Sequence, residues 1–216
     1  VFLHGVGIGG TVACQYLLDS TKQNKINGFI AEAPAYNMVE ALALSKLLVL
    51  QMADSNISQN SNILYWQSKI DYYNAHPIFT ADVFNEHINI LQQNNGIIFN
   101  PNNVKQRSTD APNTPVDAVY KNQLKSYSDI KYNGQYFTSL NLTPLLNKID
   151  IPILLIWGDK DAFLPKNNLA IQFRNAIGAN VSYNPTKYLL TGHVQGPELG
   201  PLLDLISRDR ILFIPV

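Results

Sequence analysis

The stretch Gly5-Val6-Gly7-Ile8-Gly9-Gly10 lies between an apolar run, Val1 to His4, and a helix-like segment, Thr11 to Leu18. A glycine-dense turn of this kind has several chemical readings. A phosphate-binding P-loop needs a lysine and then Ser or Thr after its last glycine; here Gly10 is followed by Thr11 and Val12. A dinucleotide fingerprint, G-x-G-x-x-G, is satisfied literally, and Glu32 stands near the place of the acid that would end the second strand. A nucleophile elbow, G-x-S-x-G, needs small residues around the nucleophile because the strand turns so tightly into the helix. Gly5, Gly9 and Gly10 meet that demand, and Gly7 stands where the serine would be. A glycine turn with no chemistry is the remaining reading.

Two later stretches bear on the choice. "LLIWGDKDAFLP" ends an apolar run with Gly158, Asp159 and Asp161, and "TGHVQGPE" carries His193. An acid after one late strand and a histidine after the next follow the chain order nucleophile, acid, base. A dinucleotide-binding protein has no need of that order. His4, His76 and His87 read as ordinary core or surface residues. Cys14, two turns into the helix after the glycines, reads as a buried structural thiol rather than a substitute nucleophile.

The elements that must position these residues follow from periodicity and punctuation. Val1 to His4 is a short strand, and Thr11 to Leu18 is a helix with apolar residues at 12, 13, 16 and 17. Gly28 to Ala33 is a second strand, closed by Pro34. Met38 to Met52, Ala81 to Gln93 and Val116 to Tyr127 read as helices, separated by Asn-rich polar chain. Ile151 to Trp157 is a buried strand, and Lys166 to Ile177 a helix stopped by Gly178. A strand within Val181 to Leu190 and a helix over Leu199 to Phe213 complete the chain. Strands apolar on both faces, alternating with helices, predict an α/β fold: a mostly parallel sheet with helices on both faces. Residues 38–150 lack a convincing sheet strand and predict a large helical cap or lid inserted into a core made of 1–37 and 151–216.

These segments together resemble the α/β-hydrolase-fold superfamily. "VFLHGVGIGGTVACQYLL" resembles its strand, elbow and helix, and "INGFIAEAPAY" the strand that follows. "LLNKIDIPILLIWGDKDAFLP" resembles the strand and loop that carry the acid, and "TGHVQGPE" the loop that carries the histidine. The matched segments cover about half of the chain; the large insert is similar in kind to the caps of proline-iminopeptidase-like members. The resemblance implies Gly7 at the nucleophile position, Asp161 as the acid and His193 as the general base. It also implies Ile8 N–H as an oxyanion donor. Asp159 is the alternative acid, more suited to holding the turn, and Glu32 a further one, since some relatives place theirs after that strand. No metal and no organic cofactor is implied.

The pattern is departed from at its centre, because the hydrogen of Gly7 cannot attack a carbonyl. Three functions remain open. One is a hydrolase lineage acting on a small ester, amide or short peptide, inactive as written. Another is a non-catalytic protein that binds such a molecule. The third is cofactor-free acid–base chemistry by His193 and Asp161.

Bulk properties narrow the partners. The 216 residues carry 16 basic and 16 acidic side chains, so no basic field exists to recruit nucleic acid. No apolar run is long enough to span a bilayer. A single cysteine excludes an intrachain disulfide and favours a reducing, cytoplasmic setting. Val1 already lies inside a strand pattern, so the expectation is a longer protein beginning upstream. The first strand, apolar and without a partner on one edge, is expected to favour self-association.

Overall fold

The computed structural model describes residues 1–93, 131–132, 135–158, 161, 163–177 and 186–189. The predicted helices at 116–127 and 199–213, together with Asp159 and His193, lie outside the described residues. Among the described residues four strands form one parallel sheet, in the order β1 (Phe2–Val6), β2 (Gly28–Glu32), β5 (Ile153–Gly158), β6 (Thr186–Leu189). Phe2 is in register with Gly28, Phe29 with Ile153, and Leu155 with Thr186. Every residue of β2 is buried, as the uninterrupted apolar run of a central strand requires.

The connections α1 (Ile8–Leu17) and α6 (Lys166–Ile177) each join neighbouring parallel strands. The sheet is built in one direction, so right-handed crossovers place both helices on one face. That face carries Leu3, Gly5, Phe29, Ala31, Ile153, Leu155 and Trp157; His4, Val6, Ile30, Glu32, Leu154 and Ile156 point the other way. α1 begins at Ile8, not Thr11, and its buried side is Gly10, Thr11, Ala13, Cys14 and Leu17, whereas Val12 and Tyr16 are exposed. Close approach to the sheet selects the small residues Gly10, Thr11, Ala13 and Cys14, with Leu17 the large apolar side chain that is fully buried.

Among the described residues, three α-helices lie between β2 and β5: α3 (Met38–Ser58), α4 (Ile63–Ala75) and α5 (Ala81–Gln93). Asn37 caps α3, its Oδ1 accepting from Glu40 N–H at 3.2 Å. The helix runs past Met52 to Ser58, so part of the polar stretch read as loop is its exposed last turn and a half. Asn60 and Asn62, both at positive φ, turn the chain into α4, which sequence periodicity does not announce. α5 has the predicted bounds and buries Val83, Phe84, Ile88, Ile90 and Leu91. A short antiparallel pair, β3 (Lys131–Tyr132) with β4 (Gln135–Tyr136), stands apart from the main sheet.

Two polar side chains join distant parts of the core. Gln23 of α2 (Ser20–Gln23) donates from Nε2 to Lys148 O at 2.7 Å and accepts from Asp150 N–H at 2.7 Å, fixing the entry to β5. Tyr36 OH donates to Leu169 O on α6 at 2.7 Å, with its ring edge-on to Phe173. Among the described residues no helix is long and apolar enough to cross a membrane.

Candidate active site

Gly7 is the turning point between β1 and α1, with φ 52° and ψ −116°. A non-glycine residue reaches this backbone region only under strain, which a fixed surrounding must hold in place. The surrounding is the chain after β2. Gly7 N–H donates to Glu32 O and Ala35 N–H donates to Gly7 O, each at 2.9 Å. Thr11, on the first turn of α1, donates from Oγ1 to Ala35 O at 2.7 Å. Ala33, between those contacts, is itself at φ 38° and wholly buried. Thus the elbow and the loop 33–35 clamp one another, and Thr11 is a member of the clamp that spacing rules did not single out.

The glycines of the turn have unequal reasons for being there. A Cβ on Gly5 would lie 2.6 Å from Gly9 O and 2.8 Å from Gly10 Cα, and one on Gly10 would lie 2.7 Å from Pro34 Cβ. A Cβ on Gly9 would meet nothing within 4 Å. The demand for a small residue read at Gly9 from the elbow pattern is therefore not steric here. Ile8 opens α1, and no group among the described residues accepts its backbone N–H.

Asp161 lies between β5 and α6 and is 3% exposed. Its Oδ1 accepts from Phe163 N–H at 3.0 Å and Leu164 N–H at 2.8 Å, while Trp157 Nε1–H donates to Leu164 O at 2.7 Å. Asp161 thus holds the turn after β5 with its own carboxylate. These bonds fix the orientation of one carboxylate oxygen.

Glu32 is 2% exposed and faces the side of the sheet away from Gly5 and α1. Its Oε2 lies 3.2 Å from Nε2 of His4. This placement also removes the dinucleotide reading. The acid that would bind a ribose is buried and turned away from Gly5 and α1. Cys14 is fully buried, and burial pushes its thiol up to about 12, which suits a structural residue and not a nucleophile. His76 is exposed, with Nδ1 2.9 Å from Tyr72 O. Of the aromatic residues between β2 and β5, Trp66 and Tyr73 are buried in the core and Tyr136 is exposed.

No protein-family model matches the chain, and no curated protein does. Among solved structures, it is similar to an alpha/beta fold family hydrolase from Bacillus anthracis str. Sterne, with 13% identity over 95% of this chain and 66% of that one and a TM-score of 0.49. It is also similar to a thermophilic esterase from Thermogutta terrifontis, with 15% identity over 100% of this chain and 66% of that one and a TM-score of 0.49. For an esterase from Exiguobacterium antarcticum the figures are 16%, 97% and 66%, with a TM-score of 0.48. The chain spans about two thirds of the length of these structures. The fold is carried by the molecule itself. It is a parallel sheet flanked by helices, with a tight glycine turn from β1 into α1 and a buried acid after β5.

Proposed function

We propose that this chain is of hydrolase lineage, with Gly7, Asp161 and His193 at the nucleophile, acid and base positions. With glycine at position 7 it holds a small ester, amide or short peptide without turning it over. The observation that carries the reading is the backbone of Gly7, kept at φ 52° and ψ −116° by Glu32, Ala35 and Thr11 although no side chain there uses the geometry. An accepting carbonyl oxygen would be met by Ile8 N–H. Asp161, already oriented by two amides, would steady the imidazole of His193. Residues 38–150 would form the cap over the bound molecule and set its size. The absent nucleophile favours ligand binding over hydrolysis. Acid–base chemistry by His193 and Asp161 alone is the remaining alternative.

The test is Gly7→Ser in the natural full-length protein, assayed on p-nitrophenyl esters and aminoacyl-naphthylamides. Deleting the nucleophile costs on the order of 10⁶ in turnover in a serine protease triad. The expected outcome is therefore a gain of at least about 10³ over the Gly7 form, abolished by His193→Ala. A silent Gly7→Ser variant that still binds ligand supports the binding protein alone. Turnover by the Gly7 form itself, lost in His193→Ala, supports acid–base chemistry.

A further inference from the structure

Ser45 on α3, Tyr73 on α4 and His87 on α5 form a chain of hydrogen bonds that the elbow does not involve. Ser45 Oγ lies 2.8 Å from His87 Nε2, and Tyr73 OH lies 2.5 Å from His87 Nδ1. All three residues are wholly buried. The rings of Phe79 and Tyr73 stand edge-on to the imidazole, with centroids 5.3 and 5.9 Å away. One imidazole therefore joins three helices through its two nitrogens. The neutral ring suits this role, with one nitrogen donating and the other accepting.

We propose that His87 is an acid-released latch: uncharged, it holds α3, α4 and α5 together, and on taking up a proton it lets these helices part while the parallel sheet stays folded. The hydrogen bonds themselves do not oppose protonation, because both hydroxyls can accept from an imidazolium. The opposition is to the charge. No carboxylate among the described residues bonds the ring. The charged group that acts on it is Lys46 of α3, of the same sign, whose Nζ donates to Tyr73 O at 3.2 Å and lies 5.3 Å above the Tyr73 ring. Of the other titratable groups, on α3 Glu40 accepts from Gln172 and Asp54 is exposed; on α4 Tyr65 lies under Lys69, Asp71 accepts from Gln67 and Tyr72 stacks on His76; on α5 Asp82 is exposed and Glu86 pairs with Lys69 at 3.0 Å. Burial first, and Lys46 second, push the imidazole down to about 3.

The two tryptophans report separately on the two parts, Trp66 from α4 and Trp157 from β5. The experiment is an acid titration of the full chain followed by fluorescence in Trp157→Phe and in Trp66→Phe. The expected result is loss of the Trp66 signal about one pH unit or more above loss of the Trp157 signal. His87→Gln should close that gap. If that variant does not fold, Lys46→Met serves instead. It removes the like charge and should move the Trp66 transition about half a unit or more toward lower pH. Imidazole ¹⁵N shifts should show His87 neutral and in one tautomer down to about pH 5. Simultaneous loss of both signals, a Trp66 transition that neither substitution moves, or a His87 ring titrating near 6.5 would each overturn the latch.

Discussion

A methyl group added at Gly5 or Gly10 has backbone or ring atoms in its way, while the same group at Gly9 points into open space. Gly5→Ala and Gly10→Ala are each expected to lower stability by about 1–3 kcal/mol, the usual cost of forcing atoms into a packed site. Gly9→Ala, in the first turn of α1, should be neutral or raise stability by up to about 1 kcal/mol, because alanine favours the helix. Urea denaturation of the three variants reads both signs. The elbow pattern was legible in the sequence, but it treats all three glycines alike. Which of them is needed depends on the path of Pro34 and on where α1 begins, and neither is written in local spacing. The place of Asp161 after a buried strand was legible, and the tie made by Thr11 was not. An acid after a buried strand is a recognisable signal, whereas a threonine that ties two loops together is known only once the loops meet.

At the scale of elements, α5 and α6 were read with their bounds, and three of the four sheet strands within a residue or two, because apolar spacing and turn residues agree there. α4 was missed because its polar, tyrosine-rich sequence buries little more than Trp66 and Tyr73. The joint at His87 was invisible for a different reason. Its three members come from three helices, and their chemistry arises only from packing. That joint sets a sign for acid stability. An unfolded histidine titrates near 6.5 and the buried one near 3, so below 6.5 the unfolded chain binds a proton that the folded one refuses. Stability from this group is therefore complete above 6.5 and falls as pH drops toward about 3, by about 1.4 kcal/mol per unit. Chemical denaturation of the parent and of His87→Gln between pH 7 and 4 should give the steeper loss in the parent.

For the whole molecule, the outer strand is the feature with consequences. β1 ends the described sheet, pairs with β2, and presents Phe2 and Val6 at 46% and 43% exposure. Val12 and Tyr16 of the neighbouring α1 are exposed as well. A short apolar strand at a sheet margin, free of Pro and of Lys, lacks the devices that discourage strand addition. We expect residues 1–216 in isolation to self-associate, and Phe2→Lys to return them to a monomer. Light scattering behind size-exclusion chromatography gives the answer, and a monodisperse monomer of the parent would refute the expectation. The turn at residue 7 has another consequence, this time for evolution. Glycine adopts that backbone freely, whereas any nucleophile must sit there at a cost of about 1–3 kcal/mol. On the proposed function, replacing a nucleophile by this glycine is a thermodynamically downhill mutation, and Gly7→Ser should lower the melting temperature. A lineage that ceased to need the reaction would drift toward this glycine and gain robustness by doing so.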